Sequence, residues 1–193
     1  MNTSEQISTD YVFDGRRKSG VPYTEISRRH PVSVYGESKR QCEDVIRRIG
    51  CRSVIIRTAW LYSPFGKNFV KTMLRLGSEK QEIGVVADQF GTPTYARDLA
   101  QAILTLLPKI GNRRGEIYHY TDEGCCSWAE FAARIMQEGG RDCTVKPITT
   151  DQYPTLATRP AWSVLSKEKI RHDFGVATPP WEESLRDCLR RLS

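Results

Sequence analysis

Two residues that could move a proton, Tyr35 and Lys39, lie four positions apart in the stretch VYGESK, residues 34–39. In a helix, their side chains would lie on one face, one turn apart. A phenol with a pKa of about 10 donates protons poorly at neutral pH, but a nearby ammonium group favours the phenolate and lowers that pKa. The pair could therefore act as a general acid and its activating cation. The same spacing arises by chance in many helices, so the pair alone does not establish a catalytic site.

The stretch around the pair has helical periodicity from position 33 to position 49. Its apolar positions are Val34, Cys42, Val45, Ile46 and Ile49. Gly50 follows and suits a left-handed C-terminal cap. Gly36, inside the predicted helix, costs roughly 0.5–1 kcal/mol relative to alanine. That cost is tolerable if something must approach the backbone closely, and a bound ligand would be one reason.

Short apolar strands alternate with amphipathic helices along the rest of the chain. Residues 53–56 form the kind of apolar run found in strands that are covered on both faces. Further strands are predicted at 84–86, 117–120 and 145–148, and helices at 68–76, 97–107, 127–138, 166–173 and 182–192. This alternation is typical of an α/β fold with a largely parallel sheet.

Composition excludes several classes of protein. The chain has 193 residues, a formal charge of +6, 39% apolar residues and 27% charged residues, which fits a soluble domain with a buried core. No apolar run is long enough to span a bilayer, so we expect no membrane association. The N-terminal MNTSEQ lacks the apolar core of a secretory signal, and a cytoplasmic location is expected.

The metal-binding and nucleic-acid-binding classes also lack sequence support. Six cysteines contain no C-x-x-C pair, so free thiols are predicted. The histidines, His30, His119 and His172, are far apart, and no metal is predicted. Basic residues are spread over short pairs without interleaved aromatic residues, which favours solvated helix faces over a nucleic-acid partner.

A hydroxyl residue that could join Tyr35 and Lys39 lies in ISTDYVFDG, residues 7–15. Thr9 would end a strand there, before an Asp-Gly turn. Ligands of open parallel sheets bind beyond the carboxyl ends of the strands. The Thr9 hydroxyl could therefore hydrogen-bond a substrate oxygen.

Six stretches together carry a resemblance to a known family. They are ISTDYVFDG (7–15), VYGESK (34–39), RTAWLY (57–62), NFVKTML (68–74), DQFGTPTYARDLA (88–100) and TRPAWSVL (158–165). In this order they resemble the dTDP-4-dehydrorhamnose reductases, which are extended short-chain dehydrogenase/reductases. The resemblance runs from Ile7 to the end of the chain. It makes Tyr35 and Lys39 candidate catalytic residues.

The resemblance implies the C-terminal part of a Rossmann-like, doubly wound parallel sheet plus a smaller mixed α/β substrate lobe. Residues 1–57 would be a remnant of the dinucleotide-binding domain that carries the catalytic strand and helix. Residues 58–193 would form mostly the substrate-binding lobe, with some elements returning to the sheet.

The resemblance also implies a reaction, the reduction of the C4 ketone of dTDP-4-dehydro-L-rhamnose by NADPH or NADH. By the family pattern, Thr9 would hydrogen-bond the ketone oxygen and Tyr35 would deliver its proton. Lys39 would lower the pKa of the tyrosine, and Tyr35 and Lys39 would both belong to the cofactor site. The product would be dTDP-L-rhamnose for polysaccharide biosynthesis.

Other substrate-binding residues are implied, each with an ordinary structural alternative. Ser8 would join Thr9 at the substrate. Trp60 matches a substrate-contacting tryptophan but could pack in the core beside Tyr62. Asn68 could instead cap a helix, and Arg159 could form a surface salt bridge rather than a diphosphate contact. At one position the chain departs from the family, because it carries Trp162 where asparagine is common, which leaves the exact nucleotide sugar open.

A glycine-rich dinucleotide-binding turn is missing from the sequence. We therefore expect the chain to be a fragment of a reductase, one half of a split protein, or a non-catalytic remnant. Alone it should bind NAD(P)H weakly, lack activity and expose an apolar sheet edge. Its expected partners are a dTDP-sugar and either a separate N-terminal half or further copies in a homo-oligomer.

A binding or regulatory subunit is the alternative from another functional class. The fold is similar to that of a regulatory subunit of methionine adenosyltransferase. A purely regulatory protein needs no proton relay, so the set Thr9, Tyr35 and Lys39 favours the enzyme.

Overall fold

The computed structural model describes residues 4–155 and 158–192. Its largest sheet has three parallel strands. The elements in chain order are β1 (Ser4–Thr9), α1 (Val34–Ile49), β2 (Ser53–Thr58), β3 (Leu61–Tyr62), α2 (Phe69–Glu79), β4 (Glu82–Val86), β5 (Phe90–Gly91), β6 (Thr94–Tyr95), α3 (Ala96–Leu106), β7 (Arg114–His119), β8 (Cys126–Ser127), α4 (Trp128–Glu138), β9 (Thr144–Ile148), α5 (Glu168–Phe174) and α6 (Trp181–Arg190). The α/β class predicted from the sequence is confirmed.

The central sheet has the order β1-β2-β7, and all of its pairings are parallel. Every residue of β2 is buried, as its apolar run predicts. Val54 and Ile56 pack with side chains of α3 and α5, whereas α1 contacts β1 and β7. In the parallel register, Ser8 lies beside Arg57 and Thr9 beside Thr58.

Helix α1 has the bounds that its periodicity and caps predict. The Ser33 hydroxyl accepts a hydrogen bond from the Gly36 amide at 3.1 Å, and Gly50 ends the helix at φ 67°. A Cβ on Gly36 would overlap the carbonyl oxygen of Tyr11. The close approach at this glycine is therefore made by the protein's own backbone, and no ligand is needed to explain it.

A second core lies among α2, α4, α6 and the two-stranded parallel sheet β4-β9. It includes Val70, Phe131, Ile135 and Leu185. The longer predicted helices and strands all occur, with ends displaced by up to three residues. The two-residue strands β3, β5, β6 and β8 were not predicted, because two residues are too few to show a periodicity.

Within residues 4–155 and 158–192, no helix is both long and apolar enough to cross a membrane. The same described segments contain no group of three or more His, Cys, Asp or Glu side chains placed to hold a metal ion. All six cysteines are free thiols.

The carboxylate of Asp122 supplies a cap that α3 lacks in its own sequence. The N-cap residue Tyr95 makes no side-chain cap, but its amide donates a hydrogen bond to Asp122 Oδ2 at 2.9 Å. Asp122 is fully buried, and burial raises its pKa to about 8, against the lowering effect of the Tyr95 amide. The Tyr95 amide therefore has a well-placed acceptor, but ionising the buried carboxyl group of Asp122 costs free energy.

We predict that Asp122→Asn gains stability relative to the wild type as the pH rises. The pKa of Asp122 in the folded chain lies above the unfolded value of about 3.9. The contribution of Asp122 to the free energy of unfolding is therefore complete below pH 4 and is lost as the pH rises towards about 8. Asparagine is neutral throughout and keeps an oxygen for the Tyr95 amide. Urea unfolding at pH 4 and pH 9 should show a relative gain of roughly 1–3 kcal/mol at the higher pH.

The matched control is Asp142→Asn, at an exposed aspartate. Its stability should follow that of the wild type at both pH values. A difference between Asp122→Asn and the wild type that stays constant with pH would contradict the raised pKa.

Candidate active site

A cavity of about 260 Å³ lies where β1 and β2 end and α1 begins. It brings together Thr9, Tyr35, Lys39 and Trp60, which the sequence analysis singled out separately. The carboxyl ends of neighbouring parallel strands meet at one edge of a sheet, which is why these positions converge. The remaining lining residues are Ile7, Ser8, Asp10, Tyr11, Thr58, Ala59, Leu61 and Trp128.

Thr9 is the last residue of β1 and the N-cap of a 3-10 turn, Asp10–Val12. Its hydroxyl accepts a hydrogen bond from the Tyr11 amide at 3.3 Å and donates one to Asp10 Oδ1 at 3.0 Å. The side chain is thus fixed at the floor of the cavity by its own following turn.

Tyr35 and Lys39 enter the cavity from the first two turns of α1. Tyr35 is 52% exposed, and its ring meets the Tyr11 ring edge-on, with 5.9 Å between centroids. The Lys39 ammonium donates to the Ile7 carbonyl oxygen at 3.1 Å. Lys39 therefore bridges the helix and the strand that ends in Thr9.

Trp60 has a left-handed backbone, at φ 49°, which is uncommon for a bulky residue and is typical of strained functional positions. Its indole stacks on Trp128 with 3.5 Å between centroids and also packs against the core cluster that contains Tyr62, so the core-packing alternative holds together with the cavity position. A Cβ on Gly91 would lie 2.6 Å from the Trp60 ring. Trp128 and Gly91 together fix the indole at the cavity wall.

Several residues of the cavity were not predicted from the sequence. Asp10 is fully buried, its Oδ2 has no hydrogen-bond partner within the described parts of the chain, and burial raises its pKa to about 6. Burial also raises the pKa of Tyr11. Asp10, Tyr11 and Thr58 could have been found, because they end or follow strands of a parallel sheet. Trp128 comes from a distant helix and left no local signal.

Two of the predicted substrate-binding residues have their polar atoms engaged elsewhere. Ser8 is buried, and its hydroxyl donates to Glu43 Oε1 at 2.6 Å. Asn68 lies outside the cavity and caps α2, with Oδ1 accepting from the Lys71 amide at 3.2 Å and Nδ2 donating to the Ser63 carbonyl oxygen at 2.7 Å. Contacts of Ser8 and Asn68 with a substrate remain predictions.

Arg159 lies beside the candidate cavity rather than in it. It is exposed and lines a neighbouring cavity of about 480 Å³, together with Phe69, Trp128 and Tyr153. Trp162, the departure from the family pattern, is buried and donates its indole N–H to the Val21 carbonyl oxygen at 3.0 Å. Trp162 therefore has a packing role, and Trp128 connects the two cavities.

Residues 5–193 match the family model described as the RmlD substrate binding domain. The chain belongs to this family. It is 45% identical over 187 residues to the spore coat polysaccharide biosynthesis protein SpsK of Bacillus subtilis, covering 97% of this chain and 64% of the relative. It is 43% identical over 190 residues to a dTDP-4-dehydrorhamnose reductase of Aggregatibacter actinomycetemcomitans, covering 94% and 64%. The family resemblance derived from the sequence motifs is confirmed.

Solved structures of dTDP-4-dehydrorhamnose reductases share the fold. The one from Clostridium acetobutylicum superposes with a TM-score of 0.92 at 41% identity, covering 97% of this chain and 65% of the relative. The one from Bacillus anthracis, in complex with NADP, superposes with a TM-score of 0.90 at 38% identity, covering 97% and 65%. The chain thus spans slightly less than two thirds of the length of these relatives.

We predict that Gly36→Ala destabilises the chain by roughly 1–3 kcal/mol, because the added methyl group must push α1 away from the Tyr11 carbonyl. Helix propensity alone would favour alanine. Urea unfolding measures the change. Ser38→Ala, at an exposed position of the same helix, should change stability by no more than about 0.5 kcal/mol. A Gly36→Ala chain as stable as the wild type would show that α1 can shift freely at this contact.

Proposed function

We propose that this chain carries the proton-transferring residues and the sugar-nucleotide site of a dTDP-4-dehydrorhamnose reductase, which reduces the C4 ketone of dTDP-4-dehydro-L-rhamnose. The observation that supports this most is the convergence of Thr9, Tyr35 and Lys39 on one cavity in a chain of this family. Reductase names among relatives at 38–43% identity favour this function over a regulatory subunit.

In this proposal the Tyr35 hydroxyl gives its proton to the ketone oxygen, and the Thr9 hydroxyl turns its own proton from Asp10 Oδ1 to hydrogen-bond the same oxygen. A nicotinamide cofactor, when bound, supplies the hydride to C4, so that the ketone becomes an alcohol. The Lys39 ammonium can donate to ribose hydroxyl groups, and the Tyr35 hydroxyl oxygen can accept a hydrogen bond from one of them. Both side chains lie at the open end of α1, where an approaching ligand can reach them.

The neighbouring cavity suits the nucleotide part of such a substrate. Phe69, Trp128 and Tyr153 offer apolar and aromatic surface to a base, and Arg159 offers a planar guanidinium to a diphosphate. Because Trp128 lines both cavities, one extended sugar nucleotide could occupy the two together.

We further propose that the additional length of the relatives supplies the rest of the cofactor site. In this division, residues 1–57 belong to the dinucleotide-binding part and residues 58–193 mostly to the substrate lobe. The test is to join this chain to the corresponding N-terminal segment of the Clostridium acetobutylicum relative and to follow NADPH oxidation with dTDP-4-dehydro-L-rhamnose. Ketone-dependent oxidation by the joined protein supports the proposal, whereas its absence in a folded joined protein contradicts it.

In the joined protein, Tyr35→Phe should lower kcat by about 10²–10⁴-fold with little change in KM, because the phenol acts on the ketone only as its charge develops. Steady-state kinetics with varied ketone separates the two parameters. Ser38→Ala, on the exposed side of the same helix, should keep both values. A Tyr35→Phe variant with the wild-type kcat would exclude Tyr35 as the proton donor.

Arg159→Ala should weaken binding of dTDP to this chain by roughly 10–100-fold, because a charge-assisted hydrogen bond contributes about 1.5–3 kcal/mol. Isothermal titration calorimetry on the chain itself measures this without any turnover. Arg186→Ala, which removes an exposed arginine paired with Glu138, is the control and should bind dTDP as the wild type does. Equal affinities for all three proteins would remove Arg159 from the diphosphate site.

A further inference from the structure

A carboxylate with no access to solvent lies on the helix that carries the candidate catalytic pair. Glu43 is 0% exposed and follows Lys39 by four residues and Tyr35 by eight, so the three side chains lie on successive turns of one side of α1. Buried glutamates are rare unless they are paired. The reaction proposed above gives Glu43 no chemical step.

Both carboxylate oxygens of Glu43 are bound by donors from other parts of the fold. Oε1 accepts from Ser8 Oγ at 2.6 Å and from Arg57 Nε at 2.8 Å. Oε2 accepts from Arg57 Nη2 at 2.7 Å and from Arg29 Nη1 at 3.2 Å. Arg57 thus makes a two-point contact, which fixes direction as well as distance.

Arg57 depends on Glu43 for its counter-charge. It is also 0% exposed, and its other neighbours include the Phe13 ring, at 5.1 Å from the guanidinium carbon, and two groups near Nη1, His119 Nε2 at 3.3 Å and the Glu25 carbonyl oxygen at 3.5 Å. Burial, and then the charge of Arg57, hold the pKa of His119 well below its usual value, so this imidazole is neutral. Rotating α1 would separate two buried charges, which is far more costly than breaking a surface pair.

The partners of Glu43 are immediate neighbours of cavity residues. Ser8 precedes Thr9, Arg57 precedes Thr58, and the two pairs lie side by side in the parallel register of β1 and β2. The polar set Ser8, Glu43 and Arg57 therefore ties the strand ends that form the cavity floor to the helix that provides its wall.

We propose that Glu43 is a positioning residue that, through Ser8 and Arg57, fixes the rotation of α1 so that Tyr35 and Lys39 point into the cavity. The importance of this alignment for catalysis rests on the function proposed above. Apolar packing could stabilise the same helix, but it lacks direction, whereas a two-point ion pair permits a single rotation. The proposal also gives Ser8 a role, since its hydroxyl holds Glu43.

The test measures two properties of the same variant: its stability to urea, and the positions of the Tyr35 and Lys39 side chains. Ser8→Ala/Glu43→Met/Arg57→Met replaces the set with apolar side chains while Arg29 keeps Asp44, at 2.7 Å. Replacing a buried ion pair by apolar residues of similar volume is often neutral for stability, so we expect cooperative urea unfolding with a midpoint near that of the wild type.

Two NMR signals report position. One is the NOE between the Tyr11 and Tyr35 rings, and the other is the ammonium signal of Lys39 bonded to the Ile7 carbonyl. In the triple variant we expect the NOE to fall at least twofold and the ammonium signal to be lost. Glu37→Gln, which removes an acid that pairs with Arg40 on the same helix, should keep both signals. A triple variant that unfolds cooperatively and keeps both signals overturns the proposal.

If the triple variant does not fold, Glu43→Gln decides the matter, because it keeps the side-chain shape, removes the charge and replaces one of the two acceptor oxygens with an NH2 donor, which ends the two-point ion pair. A folded Glu43→Gln chain should show a weaker NOE, and an unchanged NOE overturns the proposal. Failure of the proposed function would give a different result. In that case the wild-type chain would show both NMR signals, but the joined protein would reduce no ketone. That outcome would refute the reductase and leave the positioning role of Glu43 intact.

Discussion

The guanidinium of Arg57 and the carboxylate of Glu43 meet where neither reaches solvent, and the arrangement around them follows from that contact. Arg57 lies on the central strand of the sheet and Glu43 on the helix that covers it, so the pair joins the two layers at one point. Unpaired charges cannot remain in such a place, so neighbouring donors and a neutral His119 surround the pair. The floor of the candidate cavity lies one residue further along each strand.

The approach of α1 to the turn after β1 is the second constraint on the cavity. Gly36 lets the helix backbone pass the Tyr11 carbonyl, and Tyr11 in turn presents its ring to Tyr35. Lys39 then reaches the Ile7 carbonyl from the same helix. Each of these contacts joins two residues that are close in space but more than twenty positions apart in the sequence, so each depends on the sheet having formed.

Aromatic side chains, rather than strands of the sheet, lie between the two cavities. Trp60 follows β2 and stacks on Trp128, which begins α4 in the second core. Phe69 of α2 packs against the same Trp128 ring. A ligand that contacts Trp128 would therefore touch both the strand ends and the second core.

The α/β class, the bounds of α1 and the family follow from patterns that are local in the amino-acid sequence. Caps at Ser33 and Gly50, the apolar period between them and the Tyr35-to-Lys39 spacing act over a few residues, so they can be read locally. Four other contacts arise only from the packed fold: Tyr11 against Gly36, Ser8 with Glu43, Trp128 on Trp60, and Asp122 as the cap of α3. Those contacts join residues distant in the chain, and their energies depend on burial and direction, which exist only once the layers have packed.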